Sequence, residues 1–377
     1  MTLWIDNDAD FSALCREAAQ HPCIALDTEF IWSSTFYPRL ALVQLSWGRE
    51  HCALIDPQAI QNPAPLGELL ENPHVRKILH EAPSDLPILR NWCGAPLPAA
   101  IFDTRLAAAF CGLSLSCSLN KLLTELLQIT LDKSETRSDW LQRPLTDKQL
   151  QYASEDVIML PELALQLEDR IKTFGNLACF EEEMILFSRP DFYRLEEPEN
   201  CWQRIGGSGN FDARRLAILR ELAAWREMTA RELDKPRPRI LKDEQVLAIT
   251  TLLPQTLADL RKIPEFWPKH IQKYGESILA AIQRGQHVPL EDCPSPQTLK
   301  MSVQVYRKRV ARLQALVKKR CEPRGLDPSL VAPRREISSL VQAAEKGNWI
   351  NHSLMHGWRA ELLGDTLRTM IKNNFEE

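Results

Sequence analysis

The segment from Cys23 to Phe30 constrains the fold more than any other stretch of the chain. Apolar residues 23–26 lead into two carboxylates, Asp27 and Glu29, which are separated by one residue. A short apolar run predicts a buried β-strand, and residues i and i+2 of a strand point to the same face. Two carboxylates on one face repel each other unless a positive group, usually a divalent metal ion, lies between them. We therefore expect this strand to carry part of a metal site.

The rest of the first half alternates strand-like and helix-like patterns. Short apolar runs at residues 40–45 and 52–55 resemble further strands, and helical spacing follows at residues 83–92 and 146–163. Strands with helices interspersed predict an α/β domain built on a mixed sheet flanked by helices.

A polar stretch marks the end of this domain. Residues 188–210 are rich in proline, charge and glycine, which is typical of a linker. The remainder has helical patterns in two successive blocks and no convincing strand. The predicted domains are 1–190, a linker at 191–210, a helical domain at 211–290 and a second, divergent helical domain at 291–377.

Charge is distributed unevenly between the two halves. Residues 1–200 contain 16 Lys and Arg against 30 Asp and Glu, whereas residues 201–377 contain 30 against 20. An acidic half joined to a basic half is typical of a metal-using site combined with a module that attracts polyanions, although two solvated surfaces of opposite sign give the same counts.

Cysteine content and the apolar pattern also predict the cellular compartment of the protein. The ten cysteines show no CxxC pair, which favours reduced thiols in a cytoplasmic protein. The N-terminus lacks a signal-peptide pattern, and no apolar run approaches the roughly 20 residues that span a bilayer. Without a sustained heptad pattern, we expect a monomer.

Two more acidic residues and one tyrosine extend the candidate site. Asp85 lies at the start of a predicted helix, and Tyr152 and Asp156 are four residues apart on another, hence on one face. Asp103 also follows a strand, but we interpret it as a helix cap or loop anchor. Phosphodiester hydrolysis by two divalent ions would need about as many carboxylates as Asp27, Glu29, Asp85 and Asp156 supply, and Tyr152 could orient the attacking water.

These residues carry a resemblance to a known family. Leu26-Asp27-Thr28-Glu29-Phe30, His80 through Asp85, and Tyr152-Ala153-Ser154-Glu155-Asp156 resemble the three motifs of the ribonuclease D family, in the tyrosine subclass of the DEDD 3′→5′ exonucleases. Residues 216–284 resemble an HRDC domain, and residues 296–372 fit a divergent second copy. The resemblance implies a ribonuclease-H-like fold followed by two all-α HRDC-type domains.

The resemblance also implies a reaction and its site residues. It implies metal-dependent release of 5′-mononucleotides from the single-stranded 3′ end of RNA, with precursor tRNA as substrate and two Mg²⁺ or Mn²⁺ ions as cofactors. Asp27, Glu29, Asp85 and Asp156 would be the metal ligands, and Tyr152 would position the water. Further expected substrate contacts are Thr28, Phe30, His80, Lys133 and Arg137.

Some alternatives stay open at this point. Phe30 could instead pack in the core, and His80 could make a structural hydrogen bond. The basic clusters at residues 307–309 and 318–320 could bind RNA or be solvated helix faces. For the whole chain, the alternatives are a DNA 3′→5′ exonuclease and a non-catalytic RNA-binding protein.

Overall fold

The computed structural model describes residues 2–94, 97–131, 135, 138–295, 301–373 and 375. The chain forms two compact units, neither of which is continuous in sequence. The first unit comprises Met1–Phe30, Leu40–Tyr193 and Leu299–Glu377. The second comprises Ile31–Arg39 and Arg194–Thr298.

A six-stranded mixed sheet organises the first unit. Its strands in spatial order are β1, β4, β3, β2, β5 and β6. The pairs β1–β4, β2–β5 and β5–β6 are parallel, whereas β3–β4 is antiparallel. The strand bounds are β1 Thr2–Ile5, β2 Cys23–Ile31, β3 Arg39–Gly48, β4 His51–Ile55, β5 Arg76–Leu79 and β6 Ile101–Asp103.

Eight helices accompany the sheet in the part of the chain described up to Tyr193. Each has an apolar stripe that packs into the same core as the strands. Their bounds are α1 Asp8–Ala18, α2 Ala64–Glu71, α3 Ala82–Cys93, α4 Thr104–Ala109, α5 Leu119–Leu127, α6 Asp147–Ile158, α7 Leu160–Thr173 and α8 Leu177–Met184. Two short 3₁₀ helices follow, Ile185–Ser188 and Pro190–Tyr193.

Helix α6, which contains Tyr152 and Asp156, starts at a well-defined cap. The Thr146 side chain accepts a hydrogen bond from the Gln149 amide, and the Gln149 side chain accepts one from the Thr146 amide. This reciprocal pair satisfies amides that the first helical turn leaves unpaired. The helix packs against β4 and thereby holds a fixed place beside the sheet.

The second unit is helical. Its helices are α9 Ala213–Glu232, α10 Arg237–Ile240, α11 Asp243–Leu252, α12 Leu257–Leu260 and α13 Pro268–His287, with 3₁₀ helices at Pro198–Arg204 and Leu290–Asp292. Helices α9 and α13 approach closely at Gly285, because a Cβ added there would lie 2.5 Å from the Ile218 Cα. Residues 31–39 complete this unit. Phe36 is buried in its core, and the Phe36 and Tyr37 amides donate to Asp234 Oδ1 at 2.9 and 3.0 Å.

The C-terminal helices return to the first unit. They are α14 Val303–Cys321, α15 Pro328–Val331, α16 Arg334–Glu345 and α17 Gly357–Lys372, with 3₁₀ helices at Glu322–Arg324, Trp349–Asn351 and Ser353–Met355. They share one hydrophobic core with the sheet and its helices. The Phe110 and Trp358 rings lie 5.2 Å apart, and the buried Asn176 amide donates to both Phe110 O and Arg324 O.

The predicted fold class, a mixed-sheet α/β domain followed by helical domains, is confirmed. The sequence patterns did not predict β1 and α1, and the predicted domain boundaries stay predictions. All ten cysteines are free thiols. Among the described helices, none has the length and apolar character to cross a bilayer.

Lys77, in β5, gives a testable consequence of this packing. Its side chain is fully buried, its Nζ donates to Asn72 O at 2.7 Å, and burial lowers the pKa of its ammonium group to about 7. The unfolded chain keeps the ammonium proton up to its ordinary pKa of 10.5, whereas the folded chain loses it near pH 7. Burial of the charged ammonium group therefore lowers the free energy of unfolding fully below pH 7, and this loss disappears as the pH rises to 10.5.

We expect Lys77→Met to stabilise the protein by roughly 1–3 kcal/mol at neutral pH, with a smaller gain near pH 10. Urea unfolding at several pH values measures this difference. A Met variant that is equally destabilised at every pH would show that the ammonium hydrogen bond outweighs its burial.

Candidate active site

The central strand β2 presents the first two candidate ligands. Its pairing with β5 runs from Cys23 to Ala25, so the following residues of β2 extend beyond that ladder. Asp27 and Glu29 are both partly buried, whereas Thr28 between them is buried, as alternation along a strand requires. The two carboxylates therefore share a face of β2, as the spacing predicted.

Helix α3 supplies the third carboxylate. Asp85 lies in its first turn and is 4% exposed. The Thr28 hydroxyl donates a short hydrogen bond to Asp85 Oδ1. Thr28 thus ties β2 to α3 and fixes the Asp85 side chain.

Helix α6 supplies the fourth carboxylate and the tyrosine. Asp156 and Tyr152 are one turn apart, and an interaction with the Tyr152 hydroxyl offsets part of the rise in the pKa of Asp156. The Tyr152 ring also lies 5.9 Å from the Trp140 ring. The two side chains therefore interact on one face of the helix.

The pKa shifts show that the structure brings these four carboxylates together. Burial, and then the charges of Asp85, Asp156 and Glu29, raise the pKa of Asp27 well above its usual value. Burial, and then Asp156 and Asp85, raise the pKa of Glu29 to about 8. Burial is also the main cause that raises the pKa of Asp85 and of Asp156 to about 7 each.

The set fits a hard divalent cation in its chemistry. All donors are carboxylate oxygens, which Mg²⁺ and Mn²⁺ prefer. The largest causes of these four shifts among the described residues are burial, neighbouring carboxylates and hydrogen bonds, and none of them is a lysine or arginine. In the same part of the chain, no three acidic, His or Cys side chains converge closely enough to form a ready coordination sphere. The carboxylates lie within electrostatic range of one another without meeting at one centre.

Asp103 anchors the start of α3. It is fully buried at the end of β6, and its Oδ2 accepts from the Ala82 amide at 2.7 Å. Its Oδ1 accepts from the Arg105 and Leu106 amides, which caps α4. The interpretation of Asp103 as a cap and loop anchor agrees with these contacts. They also fix the backbone three residues before Asp85, next to Glu81, whose φ of 72° is left-handed.

His80 makes a structural hydrogen bond. Its Nδ1 lies 2.9 Å from Thr104 Oγ1, and that hydroxyl donates to Leu79 O. Because the Thr104 hydrogen is already used, His80 Nδ1–H is the donor. Burial, and then the charge of Arg105, lower the pKa of His80 to about 4, so its ring is neutral at physiological pH.

The other expected substrate contacts stay predictions. Phe30 is partly buried at the end of β2. Thr28 is 6% exposed and is engaged with Asp85. Lys133 and Arg137 lie outside the described residues.

Sequence reasoning missed the role of an ion pair that supports α6. Arg143 Nε and Nη2 donate to the two Asp56 oxygens at 2.7 Å each, and Arg143 Nη2 also donates to Ala41 O. The pair joins the segment before α6 to the end of β4. Nothing in the local sequence around either residue signals a partner 87 positions away.

The basic clusters of α14 divide into packed and exposed residues. Arg309 lies over the Phe375 ring, and Arg320 is exposed but donates to Thr366 Oγ1. The remaining four, Arg307, Lys308, Lys318 and Lys319, are exposed. Residues 11 apart return to the same side of a helix, so these four form one basic face of α14.

Three family models match successive parts of the chain. A model described as a 3′-5′ exonuclease matches residues 2–172. An HRDC domain model matches residues 215–282, and a model of the ribonuclease D C-terminal HRDC domain matches residues 305–367. With the sheet and the carboxylate set described above, these matches define a 3′→5′ exonuclease followed by HRDC domains.

Full-length relatives make the assignment specific. The ribonuclease D of Desulfotalea psychrophila is 36% identical over 361 residues, 96% of each chain, and that of Escherichia coli K12 is 34% identical over 371 residues, 98% of each. The chain belongs to the ribonuclease D family and is a metal-dependent 3′→5′ exoribonuclease.

Solved structures agree with this assignment. The crystal structure of E. coli RNase D, described as an exoribonuclease involved in structured RNA processing, matches with a TM-score of 0.90 and 33% identity over 99% of each chain. The catalytic core of RRP6 from Trypanosoma brucei shares the fold, with a TM-score of 0.60 and 21% identity over 76% of this chain and 79% of that one.

The Asp103 contacts predict a loss of activity at a distance from the carboxylate set. We expect Asp103→Ala to lower kcat roughly tenfold and to reduce stability by about 2 kcal/mol, because it leaves the Ala82 amide unpaired and removes a helix cap. Single-turnover hydrolysis and thermal unfolding measure the two effects.

Asp212→Ala is the matched control, since Asp212 caps α9 of the second unit by accepting from the Arg215 amide. It should lose stability but keep kcat. If both variants keep full kcat, Asp103 acts only as a cap.

Proposed function

We propose that Asp27, Glu29, Asp85 and Asp156 hold two divalent metal ions, Mg²⁺ or Mn²⁺, which would stabilise the attacking and leaving oxygens of the scissile phosphodiester. The observation that carries this is the shared shift of the four carboxyl groups, three of which raise the pKa of the fourth, Asp27. Buried like charges in this number are unfavourable unless a cation compensates them.

Tyr152 acts in this proposal as the residue that positions the attacking water. Its hydroxyl lies close enough to the Asp156 carboxylate to lower the pKa of that group. A phenol there can accept or donate a hydrogen bond to a water at the reacting phosphorus. Thr28, through its bond to Asp85, keeps a second ligand in place.

The proposed substrate is the 3′ end of a precursor tRNA, shortened by release of 5′-mononucleotides. Two observations support an RNA with a structured body behind a single-stranded end. The E. coli relative is described as acting in structured RNA processing. The basic face of α14 is suited to phosphate groups outside the carboxylate set. The family assignment favours RNA over the DNA exonuclease alternative, and the intact site residues favour an enzyme over a binding protein.

We further propose a monomer that works in the cytoplasm. The ten free cysteines support a reducing compartment. Ribonuclease D relatives from several bacteria align with nearly the whole chain.

Removing single proposed ligands tests the site. We expect Asp27→Asn and Asp156→Asn each to lower the rate of RNA hydrolysis by roughly 10³-fold or more, and Tyr152→Phe by roughly 10²-fold. Asp147→Asn, an exposed carboxylate in the first turn of the same helix, should have no effect. Circular dichroism checks that each variant folds. Full activity in either Asn variant would contradict the proposed metal site.

Product lengths test the substrate. On a 3′-extended tRNA with Mg²⁺, we expect stepwise shortening that slows near the mature end, and no shortening with EDTA, since the cation is required. A DNA strand of matched sequence should be degraded more slowly, because only contacts to the 2′-hydroxyl distinguish the two. Equal rates on DNA, or cleavage in the presence of chelator, would overturn the proposed substrate or the proposed cofactor respectively.

A further inference from the structure

A cavity in the second unit is lined by the residues that follow the strand of Asp27 and Glu29. Its volume is about 580 Å³, within the range of small-molecule and cofactor sites. Trp32, Thr35 and Phe36 line it. Helical residues of the same unit, among them Arg226 and Arg237, complete the lining.

Trp32 presents a flat aromatic surface in this cavity. It is 61% exposed, yet its Nε1–H donates to Phe36 O at 3.1 Å, so its one polar group is satisfied and its ring is held. Phe36 anchors the segment, since it is 8% exposed and packs under the Arg237 guanidinium at 4.8 Å. An exposed, oriented indole is the kind of side chain on which nucleobases stack.

The cavity lining also contains a buried polar group. Arg226 is 5% exposed, and its Nη1 donates to Leu241 O at 3.0 Å and Asp243 Oδ1 at 2.7 Å. Its Nε is buried and has no hydrogen-bond partner among the described residues. Buried donors in folded proteins are almost always paired. A base acceptor is a chemically suitable partner for this part of the lining.

The charges of the cavity are already balanced. Each of its four cations contacts a carboxylate of the same unit: Arg204 with Glu196, Arg226 with Asp243, Arg237 with Glu227, and Lys242 with Glu265. The cavity therefore offers shape and a stacking surface more than free positive charge. Such a site selects a base over a phosphate group.

We propose that this cavity binds a nucleobase of the RNA strand upstream of its 3′ end, stacked on Trp32. Trp32 follows Glu29 by three residues, and three peptide units span at most about 11 Å. The backbone therefore keeps the Cα atoms of Glu29 and Trp32 within that distance of each other. The proposed subsite rests on the exoribonuclease function and adds a second position at which the enzyme binds single-stranded RNA.

Affinity measured against RNA length tests the subsite. In the full-length chain carrying Asp27→Asn to prevent hydrolysis, fluorescence anisotropy gives Kd for single-stranded oligoribonucleotides of about two to ten nucleotides. We expect Trp32→Ala to weaken binding of the longer strands by about 5- to 100-fold, and Trp32→Phe to retain most of the affinity. The salt dependence of Kd should stay unchanged, because no phosphate contact is lost.

Trp267→Ala is the matched control, since Trp267 is a 67%-exposed tryptophan of the same unit that is not among the cavity residues. It should bind RNA of every length as the parent does. With Asp27 restored, Trp32→Ala should raise KM for long RNA and leave kcat/KM for the shortest strands unchanged.

Two results would overturn the subsite. Equal affinity of the parent and Trp32→Ala at all lengths would show that no base stacks there. An equal loss for the shortest and longest strands would place the effect of Trp32 at the reacting end. In both cases hydrolysis of RNA by the unmodified enzyme continues, so the failure of the subsite is distinguishable from a failure of the proposed function.

Discussion

Repulsion between like charges is the constraint on which the rest of the catalytic arrangement depends. Four carboxylates lie within electrostatic range of one another, and burial strengthens their repulsion. Each therefore has to be held by bonds that start outside the set. The Thr28 hydroxyl holds Asp85, and the Tyr152 hydroxyl interacts with Asp156 and lowers its pKa. The strand itself holds Asp27 and Glu29.

A second layer of contacts fixes the helices that carry Asp85 and Asp156. The buried Asp103 fixes the amide at the start of α3, and the Arg143–Asp56 pair joins the segment before α6 to the sheet. These residues carry charge but lie outside the proposed ligand set. The proposed metal site would thus use more acidic residues than it has ligands. Some carboxylates would bind metal, and others accept hydrogen bonds that position the ligands.

Local pattern was sufficient to predict the sheet class and the strand with alternating carboxylates, because these depend on neighbours one or two positions away. The cap at Thr146 was predictable for the same reason. The contact of Asp103 with the Ala82 amide and the ion pair of Arg143 with Asp56 were not, since each joins residues distant in sequence. The burial of Phe36 in the core of the second unit was also not predictable, because nothing in residues 31–39 indicates which part of the chain they pack against.

The order of elements along the chain also determines when the core of the first unit can fold during synthesis. The core of the first unit includes Phe11 near one end of the sequence and Phe375 near the other. A ribosome makes the chain from its N-terminus, and domains fold as their residues emerge. The second unit is complete once residue 298 is made, whereas the sheet that carries Asp27 still lacks α14 to α17. An RNA-degrading enzyme arranged in this way acquires the core of its first unit only after helices α14 to α17 have been made.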